Sequence, residues 1–195
     1  MGSNPLRGMP GRYFIETLNT VIKAAGNFDW HVAFHPYPEN LFDPRTWEDT
    51  EATASFDTKK ITFKNIQILP AFLRQKRFLL NGKPRRVILS EQGFHSADGV
   101  SGESDQAAAY AYAYYRVRHT AGIDAFILHR HVDHPGEGGL RLGLRSSRNG
   151  GERQIYDVFR RADTAEWADA FRFALRVIGA DAWPEILPDP TVQGN

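Results

Sequence analysis

The sequence predicts an α/β protein with a parallel sheet. Two observations carry this. Short apolar, β-branched runs alternate with stretches whose apolar residues recur at helical spacing, in the order helix, strand, helix, strand, helix, strand, helix. Strands that alternate with amphipathic helices imply parallel pairing through right-handed crossovers. The middle run, Arg86 to Glu91, then ends on a carboxylate followed by Gln92-Gly93-Phe94. That is how a (β/α) barrel places an acid at its active-site face. Three strands are clear, whereas a closed barrel needs eight strands and about 250 residues. The chain is therefore either an open α/β layer or part of a barrel whose first half lies elsewhere.

Taken in order, Phe14, Leu18, Val21, Ile22 and Ala25 mark a first helix, with Gly26 as its stop. Phe28 to Tyr37 reads as a strand ending at Pro36 and Pro38. The polar segment from Pro38 to Lys60 is long for a connector in a compact domain, which favours a functional loop. Ile61 to Leu80 reads as mostly helical, with Pro70 as a kink or a fresh start. Asn81-Gly82-Lys83-Pro84 is a turn before the Glu91 strand. After a loop from Ser96 to Glu103, Ser104 can cap a helix with Asp105 in its first turn. Ala108, Ala111, Tyr112, Tyr115 and His119 would share one face of that helix, closed by Gly122. Ile123 to His131 is the third strand, and a Gly-rich loop, Gly136 to Gly151, follows. Two helical pieces finish the fold. The second carries Trp167, Phe171, Ala174, Leu175 and Ile178 on one face and stops at Gly179. Residues 1–183 form the expected domain, with a loosely ordered Pro-rich tail over 184–195.

The 195 residues suffice for one domain with a sizeable core, and the formal net charge of +1 gives no reason to expect nucleic acid or an anionic membrane as a partner. No apolar run is long enough to span a bilayer. Met1 to Pro5 shows no basic-then-apolar secretion signal, which leaves localisation open, export of an intact parent included. The absence of Cys excludes disulfides and thiolate ligands. No cofactor is expected.

In a parallel sheet the strand ends point one way, toward the face where α/β proteins bind ligands. Strand parity puts His35 and Tyr37 on one face of the first strand. On the third it puts His129, His131 and Asp133 together, with Arg130 opposite. Glu91 ends the middle strand and His95 lies just beyond. A carboxylate, a Tyr, an Arg and several His on one rim form a site composition, not a core composition.

The run Ile88-Leu89-Ser90-Glu91-Gln92-Gly93-Phe94 resembles the seventh-strand motif of the large clan (clan A type) of retaining glycoside hydrolases built on (β/α)8 barrels. His35-Pro36-Tyr37 is similar to the His-x-Tyr at the end of strand six of those enzymes. The third strand, Gly138-Gly139-Leu140 and Ile155 to Phe159 resemble strand eight and the entry to the last helix. The likeness extends to uncharacterised bacterial barrel proteins related to the clan.

The resemblance implies a partial (β/α)8 TIM barrel, roughly strands 6 to 8 with their helices. Glu91 would be the nucleophile of a double displacement, and Tyr37 would orient it and help keep it ionised. His35, His95, His129, Arg130, His131 and Trp47 would bind a carbohydrate substrate. The clan's acid/base Glu lies at the end of strand four and has no counterpart here, so the site is incomplete as given. His129-Arg130-His131 also stands where the clan often has a Trp.

Other readings compete. Glu91 could be salt-bridged to Arg86, Arg130 or Arg141. His35 and Tyr37 could plug a barrel end by hydrogen bonding. The chain could be a non-catalytic carbohydrate-binding barrel relative. His129, His131 and Asp133 have the types and spacing of a metal-dependent hydrolase site. Tyr110, Tyr112, Tyr114 and Tyr115 fit packing better than a sugar platform, and Arg74, Lys76, Arg77, Lys83, Arg85 and Arg86 read as a solvated basic face. An incomplete barrel would leave strand edges unpaired and an apolar interior open, and would self-associate through them.

Overall fold

The computed structural model describes residues 10–188. Its centre is a three-stranded parallel sheet, β1 (Val32–Phe34), β2 (Val87–Gln92) and β3 (Ile123–Leu128), in spatial order β1-β2-β3. Helices α1 (Gly11–Ala24), α2 (Ile68–Leu73), α3 (Gly99–Arg118), α4 (Gln154–Arg161) and α5 (Trp167–Ile178) surround it. The α/β class and the parallel pairing stand as the sequence predicts. Among the described residues no helix is long and apolar enough to cross a membrane. Trp183 and Ile186, on a short 3-10 turn, are buried in the core. Residues 189–195 of the expected tail lie outside the described residues, as does the N-terminal segment 1–9.

The sheet has one covered face and one open face. Leu89 of β2 and Phe126 of β3 are register partners and turn inward, where Phe63, Phe94 and Tyr110 meet them. Period-two alternation puts Ala33, Ile88 and Ala125 on the other side, and these three are also in register. On that side Ile88 is 39% and Ile127 is 53% exposed. All-parallel sheets are normally covered on both faces, so this open face is unusual. Among the described residues the outer edges of β1 and β3 pair with no further strand.

Several expectations change at the level of elements. β1 is shorter than Phe28 to Tyr37, because His35 and Tyr37 lie beyond its last ladder pair. The stretch from Ile61 to Leu80 is broken into 3-10 turns around the six-residue α2. Pro70 sits in the first turn of α2, where a missing N–H costs nothing. Helix α3 begins five residues before Ser104, which is therefore interior. Its N-cap, Asp98, makes no capping bond because its carboxylate pairs with Arg141. From Gln106 to Ala113 every residue of α3 is buried, so the helix has no single buried stripe. The small alanines let α4, α5 and the sheet approach it closely.

The apolar stripe of α1 instead faces outward: Phe14 is 53% and Val21 61% exposed, while Asn19 and Ile22 make the buried contact. Arg85 is no surface cation. It is buried against Trp30, donating to Phe28 O, Phe78 O, Asn27 and Asp29.

The long segment after β1 is tightly organised. The Glu39 carboxylate accepts from the backbone N–H groups of Thr50, Glu51 and Ala52. Asn40 Oδ1 accepts from Phe42 N, closing a turn at its tip. Arg116 of α3 performs a similar task in the core, donating to Phe63 O, Lys64 O, Ile186 O and Gln67 Oε1.

Candidate active site at the strand ends

Glu91 is presented by a bulge. Leu89 pairs with Phe126 and Gln92 with Leu128, so Ser90 and Glu91 together oppose Ile127. An extra residue interrupts the ladder and re-aims side chains, and such bulges are over-represented beside active sites. Here it lets two consecutive residues meet the segment that follows β1. Tyr37 Oη donates to Glu91 Oε1 at 3.0 Å. His35 Nε2 lies 3.1 Å from Ser90 Oγ, and His35 Nδ1 lies 3.9 Å from Glu91 Oε1.

Burial pushes the Tyr37 phenol far above its ordinary range, and the bond to Glu91 adds to the shift. Tyr37 is thus a standing proton donor to Glu91. None of the three arginines that could have claimed Glu91 does so. Arg86 pairs with Asp124, Arg130 with Glu137 and Arg141 with Asp98. The carboxylate side chain keeps 44% of its surface accessible.

Gly93 follows immediately. A Cβ there would sit 2.2 Å from His129 O, so the need for glycine is close approach between the exits of β2 and β3. His129 N donates to Gln92 O at 2.7 Å and locks those exits together.

Beyond β3 strand parity lapses. His129 Nε2 and Arg130 Nη1 both engage Glu137 Oε1, at 2.9 and 2.5 Å. The other oxygen of Glu137 is buried with no partner among the described residues. Glu137 and Arg130 both act electrostatically on Tyr37, which places this cluster beside the Tyr37–Glu91 pair. Sequence reasoning missed Glu137. Its signal was a lone carboxylate within Gly136-Glu137-Gly138-Gly139 at a strand end.

The metal-ligand reading of His129, His131 and Asp133 is not met. Asp133 is bound bidentately by Arg153 at 2.9 and 2.6 Å and accepts from Gly143 N. His131 is exposed, and among the described residues no group of three His, Asp or Glu is arranged to hold a metal ion. Trp47 is not brought to Glu91. It sits on the 3-10 turn Thr46–Glu48, half-buried against Tyr112 of α3. Tyr110, Tyr112 and Tyr115 are buried in the core, as packing residues.

His95 lies in the next region along the rim. Arg141 N donates to His95 Nδ1 at 3.1 Å, which fixes the tautomer and leaves the proton on Nε2. Burial, then the charges of Arg141 and Arg153, hold the imidazole below its ordinary pKa of 6.5, so it is neutral near pH 7. The ring meets Phe42 edge-on, centroids 5.1 Å apart. Both line an open groove of about 720 Å³.

The family model described as Family of unknown function (DUF5722) matches residues 2–186, nearly the whole chain, and the chain belongs to that family. Comparison with curated proteins and with solved structures finds no match.

Proposed function

We propose that this member of the DUF5722 family carries the nucleophile half of a retaining O-glycosidase site, on the last three strands of a (β/α)8 barrel. One observation carries the reading. A strand-end carboxylate, held on a bulge and free of every neighbouring arginine, accepts a hydrogen bond from a half-buried tyrosine at 3.0 Å. In the reaction, Glu91 attacks the anomeric carbon and the leaving oxygen departs, giving a glycosyl ester on Glu91. Water then cleaves the ester with overall retention. Tyr37 orients the attacking oxygen. The leaving oxygen needs a proton from a carboxylic acid about 5 Å from the nucleophile. Glu137, the other carboxylate beside Tyr37, is held by Arg130 and His129 and does not suit that role.

The acid would come from strands that also cover the open face of Ala33, Ile88 and Ile127 and pair with the free edges. This supports the partial-barrel reading over a finished open sheet. Because Glu137, the second carboxylate beside Tyr37, is held by Arg130 and His129, one alternative is favoured for the chain alone: a carbohydrate-binding relative without turnover.

A panel of 2-deoxy-2-fluoro glycosides with dinitrophenyl leaving groups tests the nucleophile directly. Such leaving groups depart without a proton, so the missing acid does not matter. The expected result is a mass increase of one fluoroglycosyl unit on the peptide containing Glu91, absent in Glu91→Gln. Labelling of another residue, or none across the panel, would sink the nucleophile assignment.

A further inference from the structure

Phe42, His95 and the wall from Gly139 to Arg141 form a second feature at the strand ends, which the chemistry at Glu91 does not use. We propose that this groove is a saccharide subsite, with Phe42 as its stacking platform, and that the protein's ligand is an extended neutral glycan rather than a single sugar. The proposal rests on the reading of the strand ends as a carbohydrate site and adds the class of ligand.

The volume, about 720 Å³, lies in the range of small-molecule sites. Phe42 is 53% exposed, yet the turn closed by Asn40 and the edge contact with the buried His95 ring hold it in place. A fixed, exposed aromatic face is what the C–H face of a pyranose packs on, because that face is apolar while its rim is polar. Hydrogen bonding for the rim is at hand. His95 presents Nε2–H with no acceptor among the described residues. Glu103 and Arg148, which also line the groove, have no side-chain partner among them. One is an acceptor and the other a donor.

Charge decides between a neutral and an anionic glycan. The remaining guanidiniums are already neutralised, Arg141 by Asp98 and Arg153 by Asp133. The two unpaired groups have opposite signs and cancel, so the groove offers no net positive charge to a uronate or sulfate. Continuity with Glu91 comes from the segment after β3. Its first residues, His129 and Arg130, meet Glu137 beside Tyr37, and its later residues, Gly139 and Arg141, line the groove.

The test is calorimetric titration of the full chain with gluco-, xylo-, manno- and chito-hexaoses and with the matching monosaccharides. Wild type and Phe42→Ala are compared. One hexaose is expected to bind well above its monosaccharide. Phe42→Ala should weaken it about tenfold. Hexaose binding unchanged in Phe42→Ala, or no hexaose binding at all, overturns the groove assignment. Neither result touches the fluoroglycoside labelling of Glu91, which stands or falls separately. Preference for a polyuronate added to the panel would overturn the neutral class.

Discussion

Glu91 matters because of what its neighbours decline to do. Each nearby guanidinium is committed elsewhere, and among the described residues a phenol and an imidazole approach the carboxylate. A paired surface glutamate would have been ordinary structure. The titration of residues near the site gives a prediction. His95 has a folded pKa below its ordinary 6.5. The unfolded chain therefore binds a proton that the folded chain refuses, and stability falls as pH drops below 6.5. For Asp133, burial works upward, but the Arg153 bonds and the Gly143 amide outweigh it and hold the carboxyl below 3.8. That contribution is lost only in stronger acid. Thermal unfolding from pH 8 to pH 5 should show a falling midpoint in wild type and a flatter profile in His95→Gln. Parallel profiles would refute it. Glu91, Tyr37 and His35 were legible in the sequence because short motifs at strand ends carry them. Glu137 and Phe42 were not, because their neighbours come from loops whose path no periodicity encodes. Parity also failed past Leu128, where there is no pleat to enforce it.

At the scale of elements, buried polar anchors do the ordering that propensity does not. Arg116 joins α3 to the turn at Phe63–Asn65 and to Ile186 through a fan of charge-assisted bonds. Arg116→Met would leave several buried carbonyls unpaired, at a cost of about 3 kcal/mol or more. In a domain of this size that lowers the melting temperature by roughly 6–12 °C. A shift under about 2 °C would show the fan to be dispensable. The Glu39 carboxylate plays the same part in the long loop. In Glu39→Ala, the amides of Thr50, Glu51 and Ala52 should lose protection in hydrogen exchange by about tenfold each, while those of β2 hold theirs. Unaltered exchange in the loop would count against the cap. The length of this loop flagged it in the sequence, but its order did not show, since one glutamate capping three distant amides leaves no local pattern. The alternation of strands and helices was readable throughout. The start of α3 was not, because Ser104 offered a plausible cap and Asp98 was committed to Arg141.

Across the whole molecule, what stands out is apolar surface that no other described residue covers. The outer row of the sheet and the Phe14–Val21 stripe of α1 are both turned to solvent. Surfaces of this kind associate. Sedimentation velocity over a concentration series should show dimers or larger species growing with concentration. A single monomer peak at high micromolar concentration would argue that the open face is tolerated and the sheet complete as it stands. The partial-barrel expectation could be formed from the sequence because strand number and motif order are countable there. Which face stays bare could not, since it depends on register and on the bulges at both ends of β2. The bare face also has a thermal signature. The heat capacity released on unfolding measures the apolar area that folding removed from water, about 12–15 cal/mol/K per residue in closed domains. A sheet already wet on one side has less left to expose. The chain should melt with a shallow, broad endotherm and a heat-capacity step below that range, and it should resist cold better than its size implies.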